Sequence, residues 1–175
     1  MLTAERLREV FDYDPDTGMF RRKVIEGPGC KQMLVGWTLG TNSGGVRNRG
    51  YKKINVDGTQ YRAHRLAWLY VYGSWPKQEI DHINGSRADN RIANLRDVST
   101  SVNQQNRRRP QSNNRSGVLG VSMRGPSCFV AQIRVGGVVK KLGAFRTTKA
   151  AHAAYVEAKH RYHIGFVGPE ENHAL

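Results

Sequence analysis

The chain has no uninterrupted apolar run of the ~18 or more residues that a membrane span requires, although 38% of its 175 residues are hydrophobic. No membrane association is expected. The start, Met1-Leu2-Thr3-Ala4-Glu5-Arg6, lacks a basic segment followed by an apolar one, so no secretory signal is expected either. Cysteine is scarce: Cys30 and Cys128 lie far apart and neither belongs to a C-x-x-C pair, which suits a reducing cytoplasm and excludes a zinc ribbon built on four cysteines. Acid is scarce as well, with 14 Asp plus Glu against 28 Lys plus Arg and a formal net charge of +14. A pI near 10.3 at this size points to nucleic acid, because neutralising phosphates with Lys and Arg releases counterions.

The acid is also unevenly placed. The first 97 residues hold 11 of the 14 acids, whereas Val98 to Val156 holds ten Lys or Arg and no acid. Within that block, Arg107-Arg108-Arg109-Pro110-Gln111-Ser112-Asn113-Asn114-Arg115-Ser116-Gly117 has almost nothing that can pack, and reads as a basic linker or arm. The reading divides the chain into residues 1–108, a linker at 109–116, a second domain at 117–168 and a tail at 169–175.

Spacing predicts a short amphipathic helix over Thr3–Phe11 with Leu7, Val10 and Phe11 on one face, followed by a turn at Asp14-Pro15-Asp16-Thr17-Gly18. Gly36 to Gly50 reads as a loop. A hairpin is expected over Tyr51–His64, turning at Asp57-Gly58, and then a helix over Arg65–Tyr72 stopped by Gly73. After the linker, strands are expected at Val118–Met123, Cys128–Val135 and Val138–Leu142, with Gly136-Gly137 as a hairpin turn. A helix capped by Thr147 follows over Thr148–His163, with Gly165 as its terminator.

Chemistry concentrates in residues 79–103. Glu79-Ile80-Asp81-His82 reads as a strand, Asn84-Gly85 as a loop, Asn94-Leu95-Arg96 as a returning strand, and Ser99 or Thr100 as a helix cap. In a strand–strand–helix unit the end of the first strand and the first turn of the helix can face each other. Asp81 and Asn103 could then share one oxygen-coordinated divalent ion, with positions left for water and phosphate oxygens. His82 alternates to the other side of the strand and is better placed as a base for an attacking water.

Tyr13-Asp14-Pro15-Asp16-Thr17-Gly18, Ala63-His64-Arg65-Leu66-Ala67-Trp68, Ile80-Asp81-His82-Ile83-Asn84-Gly85, Asn90-Arg91 and Asn94-Leu95-Arg96 together resemble the HNH nucleases, in particular the phage and intron-encoded HNH homing endonucleases. The resemblance spans roughly Leu2 to Arg108. It implies a ββα-metal core at about 78–108, His82 as general base, Asn94 fixing the Asp-His loop, and Asp81 with Asn103 as ligands to Mg²⁺ or Mn²⁺. Asn103 stands where many members have His, which disfavours zinc, and no structural zinc is expected, so the core must rest on residues such as Leu66, Trp68, Leu69, Ile80, Ile92 and Leu95. A phage-infected bacterial cytoplasm, a monomeric state and nicking of one strand are the corresponding expectations. His64 and Arg65 are open between phosphate contact and a structural role, the latter a hydrogen-bonded His64. His152, His160, His163 and His173 are expected to be solvated.

With Gly136-Gly137 as a two-residue turn, Val135 pairs with Val138, Arg134 with Val139, Ile133 with Lys140 and Gln132 with Lys141. One face then carries Gln132, Arg134, Val139 and Lys141. The other carries Phe129, Ala131, Ile133 and Leu142, which can cover the Ala-rich helix, while Lys140 must reach out past the sheet edge. Residues Ser116 to Phe166 resemble the Apetala-type domain of plant ethylene-response factors. That resemblance implies contact with double-stranded DNA through Ser122, Arg124, Gln132, Arg134 and Lys141, to which the arm adds Arg107, Arg108, Arg109 and Arg115. The overall expectation is an α+β chain: a ββα-metal nuclease domain, then a three-stranded antiparallel sheet on one helix. A DNA-binding regulator without cleavage and an RNA-binding protein are the alternatives.

Overall fold

The computed structural model describes residues 1–23 and 50–166. The glycine-rich loop expected before Gly50, Cys30, His173 and the tail 169–175 lie outside the described residues. The chain divides into two compact units, Met1–Val98 and Ser99–Leu175; the basic stretch read as a linker falls within the second.

The first unit opens with α1 (Ala4–Val10), whose N-cap Thr3 accepts the Arg6 N–H at 3.2 Å and whose Ala4, Leu7 and Val10 are buried. Phe11, expected to continue this helix, instead starts strand β1 (Phe11–Asp14), because it pairs with Arg22 of β2 (Met19–Arg22) and sets its ring edge-on to Phe20. Asp14 holds the turn between them by accepting from the Asp16 and Thr17 amides and the Thr17 hydroxyl. Strands β3 (Lys53–Val56) and β4 (Thr59–Arg62) form the expected hairpin, and both turn residues, Asp57 and Gly58, take positive φ. Helix α2 (Ala63–Tyr72) ends at Gly73 in the left-handed conformation. Strands β5 (Glu79–His82) and β6 (Leu95–Val98) pair antiparallel, with Asp81 opposite Arg96 and His82 opposite Leu95.

One core serves all of these elements. Leu7, Val10, Phe11, Phe20, Ile54, Val56, Leu66, Leu69, Ile80 and Leu95 are buried together, with Trp68 and Ile92 packed at its margin. The apolar residues expected to carry the core do so.

The second unit contains α3 (Thr100–Gln105), capped by Ser99, and then a sheet ordered β7 (Val121–Gly125), β8 (Cys128–Val135), β9 (Val138–Phe145). Helix α4 (Thr148–Tyr162) is capped by Thr147, whose hydroxyl accepts the Ala150 N–H. The β8–β9 register is the one expected from the Gly136-Gly137 turn. Several boundaries differ, the first and last strands most. Strand β7 begins at Val121 rather than Val118, because the Val118 carbonyl is taken by the side chains of Asn114 and Ser116. Strand β9 runs on to Phe145 past an irregularity between Lys141 and Gly143, which places Leu142 out of register yet still against the apolar side of the sheet. Ala151 and Ala158 bury the helix face against Ala131 and Ile133. Lys140 does reach outward, setting its ammonium 4.7 Å from the centre of the Tyr162 ring.

Three of the histidines expected to be solvated can be placed, and one is buried and one half-buried. His163 is buried with Nε2 2.8 Å from the Arg134 carbonyl, and half-buried His152 sets Nδ1 2.9 Å from the Leu119 carbonyl. Each satisfies a backbone oxygen, of Arg134 on β8 and of Leu119 ahead of β7, which a helix-face pattern alone does not reveal. His160 is exposed, against Phe166.

Candidate active site and nucleic-acid surface

Strand β5 carries Asp81 and His82 into the interior of the first unit, where they are 6% and 4% exposed. Arg96, opposite Asp81 across the β5–β6 pair, donates from Nε at 2.9 Å and Nη2 at 2.7 Å, both to Oδ2. A buried carboxylate needs such a partner, since an uncompensated charge there costs several kcal/mol, of order 3–5. The His82 imidazole has Nε2 3.4 Å from Asn90 Oδ1. Its ring lies 5.1 Å from His64 and 5.9 Å from Tyr51, centroid to centroid.

Burial is the main influence on both histidines. It lowers the His82 pKa, against the opposing pull of the Asn90 contact and of Asp81 and Asp89. His64, 3% exposed, is pushed down to about 3, first by burial and then by the charges of His82, Arg62 and Arg65. Both rings are therefore neutral at pH 7, the state in which an imidazole can accept a proton. The expectation that His64 is hydrogen-bonded is not met at Nδ1, which is buried without a partner among the described residues, nor does His64 lie on the surface to meet a phosphate. Arg65 sets its guanidinium 5.5 Å from the Trp75 ring centre.

Asn94 sits in a 3-10 turn (Ile92–Asn94) just before β6 rather than in the strand itself. Its Oδ1 accepts the Asn84 N–H, its Nδ2 donates to the Asp89 carbonyl, and its own carbonyl accepts the Ile83 N–H, each at 2.9 Å. Three bonds from one residue thus close the loop that follows His82. Asp89 reinforces the loop by pairing with Arg91 and accepting from Asn84 Nδ2, and these partners hold its carboxyl below the usual carboxylate range.

Asn90 belongs to the residues that carry the resemblance, and the structure makes it central. It is 2% exposed, faces His82 through Oδ1, and has its carbonyl bound by the Tyr13 hydroxyl at 2.7 Å. Gly18 shapes the same place: at φ +70°, a Cβ there would stand 2.3 Å from the Arg91 nitrogen and 2.4 Å from the Asn90 carbonyl carbon. The sequence signal for this contact is the Thr17-Gly18 turn, which reads only as a turn until its neighbour is known.

The oxygen donors in this region, the Asp81 carboxylate and amide side chains, are hard ligands of the kind Mg²⁺ or Mn²⁺ takes. Among the described residues no group of three or more His, Cys, Asp and Glu is placed to hold a metal. Asn103 lies half-buried on α3, in the second unit.

In the second unit, paired residues share a face of the sheet, so Ser122 lies with Val130 and Ala144, Gln132 with Lys141, and Arg134 with Val139. Arg124 falls in the irregularity between Met123 and Gly125. Arg124, Arg134 and Lys141 are exposed, and Ser122 and Gln132 half-buried. Beside the sheet a groove of about 630 Å³ is lined by Arg107, Arg115, Ser122 and Arg134 among others. Arg108 and Arg109 are exposed but do not line it. The backbone behind the arm is anchored, since Lys159 Nζ donates to the Arg107 carbonyl at 2.6 Å.

The family model described as HNH endonuclease matches residues 61–105, from the end of β4 through α2, β5, the Asn94 loop and β6 into α3. Comparison with curated proteins and with solved structures gave no match. No helix among the described residues is long and apolar enough to cross a membrane.

Proposed function

We propose that the chain is a metal-dependent DNA endonuclease of the phage homing type, in which the first unit cuts and the second positions the duplex. The observation that carries this is the buried, neutral His82 beside Asp81 on β5, with its loop closed by Asn94, inside the segment that matches the HNH model. The Asn90 contact supports the tautomer with the proton on Nε2, and in that tautomer Nδ1 is the nitrogen that would take a proton from the attacking water. Asp81 and, by the resemblance, Asn103 would hold the divalent ion. When bound, that ion supplies charge stabilisation at the scissile phosphate and the departing 3′ oxygen. The ethylene-response-factor resemblance assigns the Gln132, Arg134 and Lys141 face, with Ser122, Arg124 and the arm, to duplex DNA. A monomer with one such site nicks one strand per engagement, in the cytoplasm of an infected host.

The test is incubation of supercoiled phage and plasmid DNA with the protein and Mg²⁺ or Mn²⁺. The reading expects nicked products with 5′-phosphate ends, absent in EDTA. The Arg96–Asp81 pair favours a second reading, a regulator that binds without cutting, because that carboxylate already has a cationic partner. Duplex binding with no cleavage across Mg²⁺, Mn²⁺ and Ca²⁺ would establish the regulator instead. Preference for RNA in a competition at fixed salt would overturn both.

A further inference from the structure

By sequence Tyr51 is only the first residue of a hairpin, yet four side chains converge on its ring. The Arg62 guanidinium carbon lies 4.9 Å and that of Arg87 5.1 Å from the ring centre, while the His64 and His82 rings lie 5.2 and 5.9 Å away. The arginines come from different places: Arg62 ends β4 and caps α2, and Arg87 stands in the loop that Asn94 closes. Both are exposed, while the histidines are buried.

A guanidinium lodged against an aromatic ring loses little further freedom on binding, and its planar N–H fork matches a bidentate acceptor such as phosphate. We propose that Arg62 and Arg87, braced on Tyr51, bind a backbone phosphate of the nucleic-acid strand next to the one that His82 serves. Resting on the nuclease reading, this gives the first unit its own grip on the substrate strand, separate from the sheet and arm of the second. Tyr51 is a positioning residue for the two cations.

The experiment uses the full-length protein. Binding to a short duplex is followed against salt in Ca²⁺, and cleavage in Mg²⁺, for the parent, Arg62→Ala, Arg87→Ala, Arg87→Lys, Tyr51→Phe and Tyr51→Ala. Removing both arginines should reduce the salt slope by about one and each single alanine by less, and each single alanine should raise KM roughly 3–10-fold, with kcat at saturation changed about twofold or less. Arg87→Lys should keep the slope but recover only part of the affinity. Tyr51→Phe should behave as the parent, and Tyr51→Ala should raise KM without changing the slope. Duplexes with single neutral methylphosphonates around the cut then locate the contact: one position should weaken the parent and have no further effect in the Arg62→Ala, Arg87→Ala double variant. An unchanged slope and KM in both arginine variants, or no such coupled position, overturns the proposal. A parent that binds but never cuts defeats the nuclease reading, while the slope and a methylphosphonate binding scan still decide the phosphate contact.

Discussion

In the first unit the polar residues of interest are inside: Asp81, His82, Asn90 and Asn94 are all buried, around the core that α1, α2 and three hairpins share. In the second, Arg134 and Lys141 are exposed on a sheet whose apolar side is covered by α4, and the stretch from Val98 to Val156 holds no acid. Burial fixes orientation and protonation, as chemistry requires; exposure keeps charge hydrated and available, as backbone binding requires. The difference teaches why the same chain can hold neutral imidazoles and a large cationic excess without conflict.

The sharpest way to break this comparison is to alter one side and watch the other. Asp81→Asn should lower the Mg²⁺-dependent cleavage rate about 10³-fold or more, with duplex affinity unchanged; equal loss of both, in single-turnover and gel-shift measurements, would erase the division. Two glycines offer a matched pair. Gly18→Ala drives a Cβ into the Asn90–Arg91 backbone, and Gly120→Ala drives one to 2.0 Å from the Tyr155 ring, both at positive φ. Each should destabilise its unit by about 2–4 kcal/mol. Gly18→Ala is expected to slow cleavage and Gly120→Ala to weaken DNA binding, as thermal melts with parallel activity and binding assays will show.

The units should also separate in pH. His64 titrates near 3 when folded, against an ordinary 6.5, so between those values the unfolded chain binds more protons and stability falls as pH falls. Lys159, buried and lowered to about 8 from 10.5, gives the second unit stability that instead rises as pH climbs from about 8 to 10.5. Denaturant melts across pH should show an acid-side loss, by up to a few kcal/mol (~3–5), that His64→Phe flattens, and an alkaline-side gain that Lys159→Met flattens. The smallest effects belong to the exposed face: Arg134→Ala and Lys141→Ala should each cut the salt slope of binding by about one and leave the saturated cleavage rate alone.

Much of this was legible because local chemistry forces it. Asp57-Gly58 and Gly136-Gly137 admit the positive φ of tight hairpins, and the second turn fixed the pairing of Arg134 with Val139. The Asp-His strand and its returning partner were legible from pattern and resemblance. What escaped was non-local. Nothing near Asp81 in sequence announces Arg96 as its partner fifteen residues on, and Tyr51 reads as an ordinary strand residue until the fold brings two arginines and two histidines to its ring. His163 and His152 looked solvated because helix periodicity does not show which carbonyls lie opposite.

The central claim is that His82 supplies the base for phosphodiester hydrolysis in the first unit. Its most direct test is the single-turnover cleavage rate of a mapped duplex, in Mg²⁺ and at saturating protein, for the parent and His82→Ala. A fall of about 10²–10⁴-fold with unchanged duplex affinity is the predicted result; a variant that cuts as fast as the parent would contradict it.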